Sequence, residues 1–325
     1  MYNRPEQILE QYELNVKAVS RGRECYLIDT NLGVKALCEY RGSKERANFL
    51  KEMLDFLQEK HMLVENIINT KEGEPFAVDE DASKQILLET FSGAECDARN
   101  RDDMLLSVKV LAGLHNVSNG FAGEVPEFVK TGRDSLLLLY EKHNRELRQV
   151  RNYIRSRKKK NEFEEMFARH YERFNQKATD VTKLLETMEL ESVEVGFCHG
   201  DFNQHNVIFS RTGIAIVGFE HFSYNMQISD LANFMRKMME KNNWNTGLGM
   251  DLIQAYHTER KLSEIELKYL YVYLAYPEKF WKIANRYNNS HKAWLCGRNI
   301  EKLEKVVAQE EEREQFLEML FHFVK

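Results

Sequence analysis

The stretch His199-Gly200-Asp201-Phe202-Asn203-Gln204-His205-Asn206, set in FCHGDFNQHNVIFSRTGIAIVGFEHF from Phe197 to Phe222, constrains this chain more than any other. An Asp on such a loop can accept the proton of a hydroxyl group, and an Asn five residues on can turn back to ligate Mg²⁺ beside phosphates. Asp201 is thus the candidate base, with His199 beside it, and Asn206 is a candidate metal ligand. Val207 to Phe209 begins a strand, and Ile214 to Phe219 reads as its hairpin partner after Arg211-Thr212-Gly213. The loop is gripped by that hairpin.

Upstream, short strands alternate with turns. Glu24 to Ile28 and Val34 to Tyr40 flank Asp29-Thr30-Asn31-Leu32-Gly33, whose Asn and Gly suit positive φ, so the pair reads as a β-hairpin. Ser43 is a plausible N-cap for a helix carrying Phe49, Leu50, Met53, Leu54 and Leu57 on one stripe. Phe76 to Val78 and Gln85 to Phe91 are further strand candidates. Residues 1–91 therefore read as a small β-rich lobe.

From Ser92 the character changes. SGAECDARNRDD brings Gly, Asn and Asp ahead of a stripe of Met104, Leu105, Val108, Leu111 and Ala112, so it reads as a connector into a helical lobe, residues 92–325. Leu138 to Met188 is long, charged and free of Pro, which predicts two helices in an extended hairpin. Its basic run Arg151 to Lys160 reads as a solvated helix end, since the NEFEEMF that follows restores negative charge. Glu310 to Glu314 reads as an exposed helix face. Tyr276, Phe280, Trp281 and Ala284 recur at helical spacing and predict packing between helices near the C-terminus.

At 325 residues the chain is long enough for two packed lobes, and 43% hydrophobic with 30% charged is ordinary for a globular protein. A formal net charge of −5 provides no broad basic field for nucleic acid or an anionic membrane. The five cysteines, Cys25, Cys38, Cys96, Cys198 and Cys296, lack C-x-x-C spacing, and neither a disulfide framework nor a zinc site follows from them. The N-terminus has no apolar leader-like run and no segment approaches the ~20 apolar residues of a membrane span. Synthesis and residence in a reducing cytoplasm are expected.

The order HGDxxxxN, then a strand ending Ile216-Val217-Gly218-Phe219-Glu220, then Asp230-Leu231-Ala232 resembles the aminoglycoside phosphotransferase and choline kinase group. Leu111-Ala112-Gly113-Leu114-His115 adds to the likeness. The resemblance implies an α+β, protein-kinase-like, two-lobed fold, and ATP with Mg²⁺ as cofactors if the site is active. It also implies that Cys38 and the lobe connector at Glu89 and Phe91 border the nucleotide.

Departures from that pattern point to a degenerate site and no cofactor. The group's magnesium-chelating Asp aligns with Gly218. Glu220, two residues along an extended strand, is expected on the same face, its Cα about 6.6 Å further on, as a poorly placed substitute ligand. Cys38 stands at the strand Lys that pairs with nucleotide phosphates, and Lys35, three residues away, faces the opposite side. Glu45 or Glu52 would be the acid of the following helix, either reading as a solvated charge. Ser20-Arg21-Gly22-Arg23 is too poor in glycine for a phosphate loop.

Within that group, CEYRGSKER, SGAECDARNRDD, HGDFNQHNVIF, QISDLANFMRKMMEKNNW and YPEKFWKIANRYNNSHKAW look like the CotS-type spore coat proteins of endospore-forming bacteria. The likeness runs from about Leu27 to Lys302. It implies a role in the coat or its assembly, synthesis in the mother cell followed by residence in the spore coat, and other coat proteins as partners. An active small-molecule phosphotransferase is the alternative.

Overall fold

Asn31 and Leu32 turn the chain between two strands that pair residue for residue, Thr30 against Gly33 and Cys25 against Cys38, as the hairpin reading expects. The computed structural model describes residues 5–23, 25–289 and 296–324, without the side chains of 296 and 324. Glu24, the first residue of the expected strand, and residues 290–295 at the end of the YPEKFW segment lie outside the described residues. In chain order the first elements are α1 (Pro5–Leu9), β1 (Val16–Arg21), β2 (Cys25–Thr30), β3 (Gly33–Tyr40), α2 (Lys44–Glu59), β4 (Ile67–Ile68), β5 (Ala77–Val78), β6 (Lys84–Glu89), β7 (Gly93–Glu95) and α3 (Arg101–Ser118). There follow α4 (Ser135–Ser156), α5 (Glu162–Glu186), β8 (Val195–Cys198), β9 (Val207–Ser210), β10 (Gly213–Ile216) and β11 (Ser223–Met226). The last are α6 (Ile228–Lys241), α7 (Thr246–Glu259), α8 (Glu264–Ala275), α9 (Glu278–Asn289), α10 (Cys296–Ala308) and α11 (Glu310–Val324).

Contacts divide the chain into two units, residues 1–130 with 196–224 and residues 131–195 with 225–325. The sequence boundary at residue 91 follows secondary-structure type. The contact division instead groups 92–130 and the HGD loop with the sheet.

In the first unit an antiparallel sheet runs in the order β1-β2-β3-β6-β4, with β5 also on β6. One face packs on α1 and the turn after it, through Ile8, Leu9 and Tyr12 against Ile28, Leu37 and Leu87, all buried. Ser43 caps α2 as read, its side chain accepting the Arg46 N–H at 3.2 Å. The predicted stripe of α2 is buried throughout, and each such side chain contributes roughly 1.5–3 kcal/mol. A second sheet, β10-β9-β7, holds the connector strand against the strand that leaves the HGD loop. The segment before β4 joins it, with Val64 bridging Ile216 and the Glu65 N–H donating to the Ile216 carbonyl at 3.1 Å.

In the second unit the predicted charged hairpin is α4 and α5. Asn161 starts α5 with a capping box, and its Nδ2 donates to the Tyr287 hydroxyl at 2.7 Å. The C-terminal aromatics pack into a core as read, but against the α4–α5 pair rather than among the C-terminal helices: Phe280 is buried and stacks on Phe167 and Phe174, and Tyr276 stacks on Tyr140. Arg313 donates to the carbonyls of Leu274, Ala275 and Tyr276 and so satisfies the end of α8. One expectation fails here. Glu310 is buried, paired with Lys177 and Arg313, while Glu311 of the same run is exposed, so the exposed-face reading fails at the residue that α11 turns onto those cations. Among the described residues no helix is long and apolar enough to cross a membrane.

Candidate functional site

The HGD loop is built from inside the first unit. His199 is fully buried, its Nε2 2.9 Å from the Val217 carbonyl and its Nδ1 accepting the Asp201 N–H at 3.2 Å. Those partners place the ring proton on Nε2. The rings of Phe202 and Phe219 close around it. The imidazole thereby ties the loop to the strand end at Val217, a positioning role. Gly200 has φ +82°, and a Cβ there would collide with the His221 carbonyl, so this glycine permits a close backbone approach.

Asp201 is partly exposed, and its Oδ2 accepts from Asn203 Nδ2 at 3.0 Å. Its backbone carbonyl accepts from Asn203 Nδ2 at 2.8 Å and from Asn206 Nδ2 at 3.0 Å. The Asn206 backbone carbonyl in turn accepts the Val217 N–H, so with the His199 ring on the Val217 carbonyl the loop and the strand end are stitched at both backbone and side chain. The structure brings together Asp201, Asn206, His199 and Gly218, as the sequence predicts.

Beyond Ile216 the sequence reading and the structure part. The expected strand to Phe219 stops at Ile216, Gly218 takes a left-handed conformation (φ 82°, ψ 42°), and Phe219–His221 form a 3₁₀ turn. Strand alternation therefore does not place Glu220 on the face of residue 218. Its carboxylate is 54% exposed and lies 3.1 Å from His221. A Cβ built on Gly218 would fall 2.8 Å from the Asn206 side-chain amide. The space that a side chain at 218 would need is already filled.

Two residues that sequence reasoning missed sit here. Glu65 is buried, and its Oε1 accepts the Phe219 N–H at 2.8 Å. Burial pushes its carboxyl up to about 7, against the lowering effect of the Phe219 and Gly218 amides. A lone acid inside the apolar run Met62-Leu63-Val64-Glu65-Asn66-Ile67-Ile68 was the available signal. Arg46, on the first turn of α2, lies with its guanidinium 4.1 Å from the Phe222 ring centroid and donates to the Phe222 carbonyl. By contrast Glu45 and Glu52 are both exposed, as the solvated reading expects.

Cys38 lies on β3 opposite Cys25. Its thiol is pushed far above the ordinary range by a hydrogen bond with the Cys25 thiol, then by burial, with Glu65 and Glu220 adding to the effect. Lys35 faces Glu89 across the strands, at 3.7 Å. The Glu89 N–H donates to the Asn66 carbonyl at 2.7 Å, and Phe91 is half-buried between β6 and β7. Next to it, Glu95 on β7 pairs with His205 of the HGD loop, a link that the sequence did not suggest. Among the described residues no three His, Cys, Asp or Glu side chains are grouped to hold a metal ion.

Comparison with known proteins supplies the family. The chain matches the family described as "Spore coat putative kinase YutH" over residues 5–320. The chain belongs to this family. It is also similar to spore coat protein S of Bacillus subtilis (strain 168), 23% identical over 327 residues, covering 97% of this chain and 93% of that protein. Among solved structures, an aminoglycoside phosphotransferase from Alicyclobacillus acidocaldarius superposes with a TM-score of 0.86 at 18% identity, over 100% of this chain and 97% of that one. A choline kinase from Cryptosporidium parvum superposes at 0.52 with 13% identity, over 97% and 92%. This chain thus has the fold of these phosphotransferases, a small antiparallel-sheet lobe and a helical lobe.

Proposed function

We propose that this chain acts in the spore coat or its assembly as a scaffold whose phosphotransferase site is degenerate. The observation that carries this reading is Gly218, left-handed and with its side-chain space taken by the Asn206 amide. The residues do not fit a magnesium held by an Asp–Asn pair. Position 218 offers no carboxylate, Glu65 is committed to the Phe219 N–H, and Glu220 lies exposed against His221. Cys38, holding its proton, supplies no cation for nucleotide phosphates. Other coat proteins are the partners this reading expects, with synthesis in the mother cell before residence in the coat.

The intact order of the HGD loop favours a second reading, an active phosphotransferase with Asp201 as base and ATP as donor. Thermal unfolding with ATP, with and without Mg²⁺, separates the two. A ligand at ~100 times its dissociation constant stabilises by about 2.7 kcal/mol. The scaffold reading expects no magnesium-dependent shift, and a shift of that size accompanied by ATP turnover overturns it.

A further inference from the structure

Cys25 and Cys38 are the one pair of cysteines that the sheet of the described residues sets directly opposite each other on neighbouring strands. Directly opposed residues of an antiparallel pair have Cα atoms about 4.5–5.5 Å apart and side chains on one face. A disulfide bridges Cα separations of about 4.4–6.8 Å, so the backbone needs no rearrangement to join them. Both are thiols here, both are only partly buried, and they share a hydrogen bond. Gly22 keeps the approach open, since a Cβ at that residue would sit 3.3 Å from the Cys25 sulfur. Cys96 and Cys198, by comparison, are buried.

We infer that Cys25 and Cys38 form a redox site, closing a cross-strand disulfide between β2 and β3 by exchange with a low-molecular-weight disulfide. Cys38 holds its proton, so Cys25 is the attacking sulfur. Its thiolate attacks one sulfur of the small disulfide, breaks that S–S bond and releases one small thiolate, leaving a mixed disulfide on Cys25. The released thiolate takes the Cys38 proton. Cys38 sulfur then attacks the Cys25 sulfur, and the second small molecule leaves as a thiolate that takes up the proton first lost from Cys25. Two protein thiols are oxidised, one small disulfide is reduced to two thiols, and the atoms balance. The product fixes the hairpin covalently and removes the ionisable group at residue 38.

The test uses the full chain, folded, with excess oxidised glutathione. After acid quenching, the protein is alkylated in denaturant, digested and mapped by mass spectrometry without reduction. The expected result is a linked Cys25–Cys38 peptide as the main product, both thiols lost from alkylation together and both recovered with dithiothreitol. Cys38→Ser is expected to stop at a stable glutathione adduct on Cys25, and Cys25→Ser to leave Cys38 at least tenfold less modified than Cys25 in wild type. The wild-type map needs no variant to fold. An unresolved adduct on wild-type Cys25, linkage to a different cysteine, linkage formed only in denaturant, or two thiols that stay fully alkylatable would each overturn the assignment.

Discussion

The side-chain amide of Asn206 fills the space that a side chain at Gly218 would need, 2.8 Å from where its Cβ would stand. Restoring the group's carboxylate with Gly218→Asp therefore meets a steric contact as well as a backbone at φ +82°. Gly218→Ala is expected to lower stability by about 1–3 kcal/mol. Asn206→Gly in the same chain should recover the contact part and leave the backbone part. Urea unfolding of both singles and the double measures the coupling, and strictly additive effects would show that the two positions do not touch. Because Asn206 is also the amide that a magnesium site of this kind uses, Gly218→Asp with Cys38→Lys is expected to leave the chain without magnesium-dependent ATP binding, and a magnesium-dependent thermal shift in that double variant would show that the amide gives way.

Glu65 gives a pH dependence of fixed sign. Its folded value of about 7 lies above the ordinary 4.5, so the folded state keeps the proton longer than the unfolded state does. Its contribution is fully present below about 4.5, is lost as pH rises to about 7, and is level above. Glu65→Gln, which has no charge to desolvate, should flatten that slope and be the more stable protein at pH 8 by up to about 3 kcal/mol. Glu65→Ala lacks an acceptor for the Phe219 N–H and should lose about 1–3 kcal/mol relative to Glu65→Gln. Melting temperatures from pH 4 to 8 check both.

Gly200→Ala is expected to be among the most damaging single changes in the loop. It places a Cβ against the His221 carbonyl and forces an alanine into the left-handed region, a combined effect of more than about 3 kcal/mol. Soluble yield and circular dichroism read it. A variant melting within a degree of wild type would mean that the loop yields easily.

Asp201 is only half-buried, with its Oδ2 on Asn203. Asp201→Ala should therefore lower stability modestly, by about 0.5–1.5 kcal/mol. Should the wild-type protein turn over ATP, Asp201→Asn must abolish it while leaving the melting temperature nearly unchanged. Turnover that persists in Asp201→Asn would remove this residue from any chemistry.

The hairpin, the α2 stripe and the α4–α5 pair were legible because each is fixed by local pattern, Asn31 and Gly33 in a turn, a period of 3.6, a long charged run free of Pro. His199, Asp201 and Asn206 were legible because one loop of eight residues carries them. The end of β10 was not. Gly218 breaks the strand by its φ, and alternation cannot register where a strand stops. Glu65 and Arg46 reach the site from elements far away in sequence, Glu65 bonding Phe219 across 154 residues, and no periodicity announces a tertiary contact of that kind. Glu310 misled because an acidic run looks solvated until its cations, Lys177 and Arg313, are placed beside it.

The first unit is discontinuous, 1–130 rejoined by 196–224, and this sets an order of events during synthesis. The sheet and α2 leave the ribosome long before β9 and β10, so the Val64–Ile216 bridge and the Glu65–Phe219 bond must wait for the α4–α5 pair to be made in between. Until then Glu65 sits beside an edge with no partner for its carboxylate. The nascent small lobe is thus a half-closed ladder, and its exposure to non-native pairing or to chaperones ends when residues past 219 emerge. Chains released before that point should be the ones that aggregate.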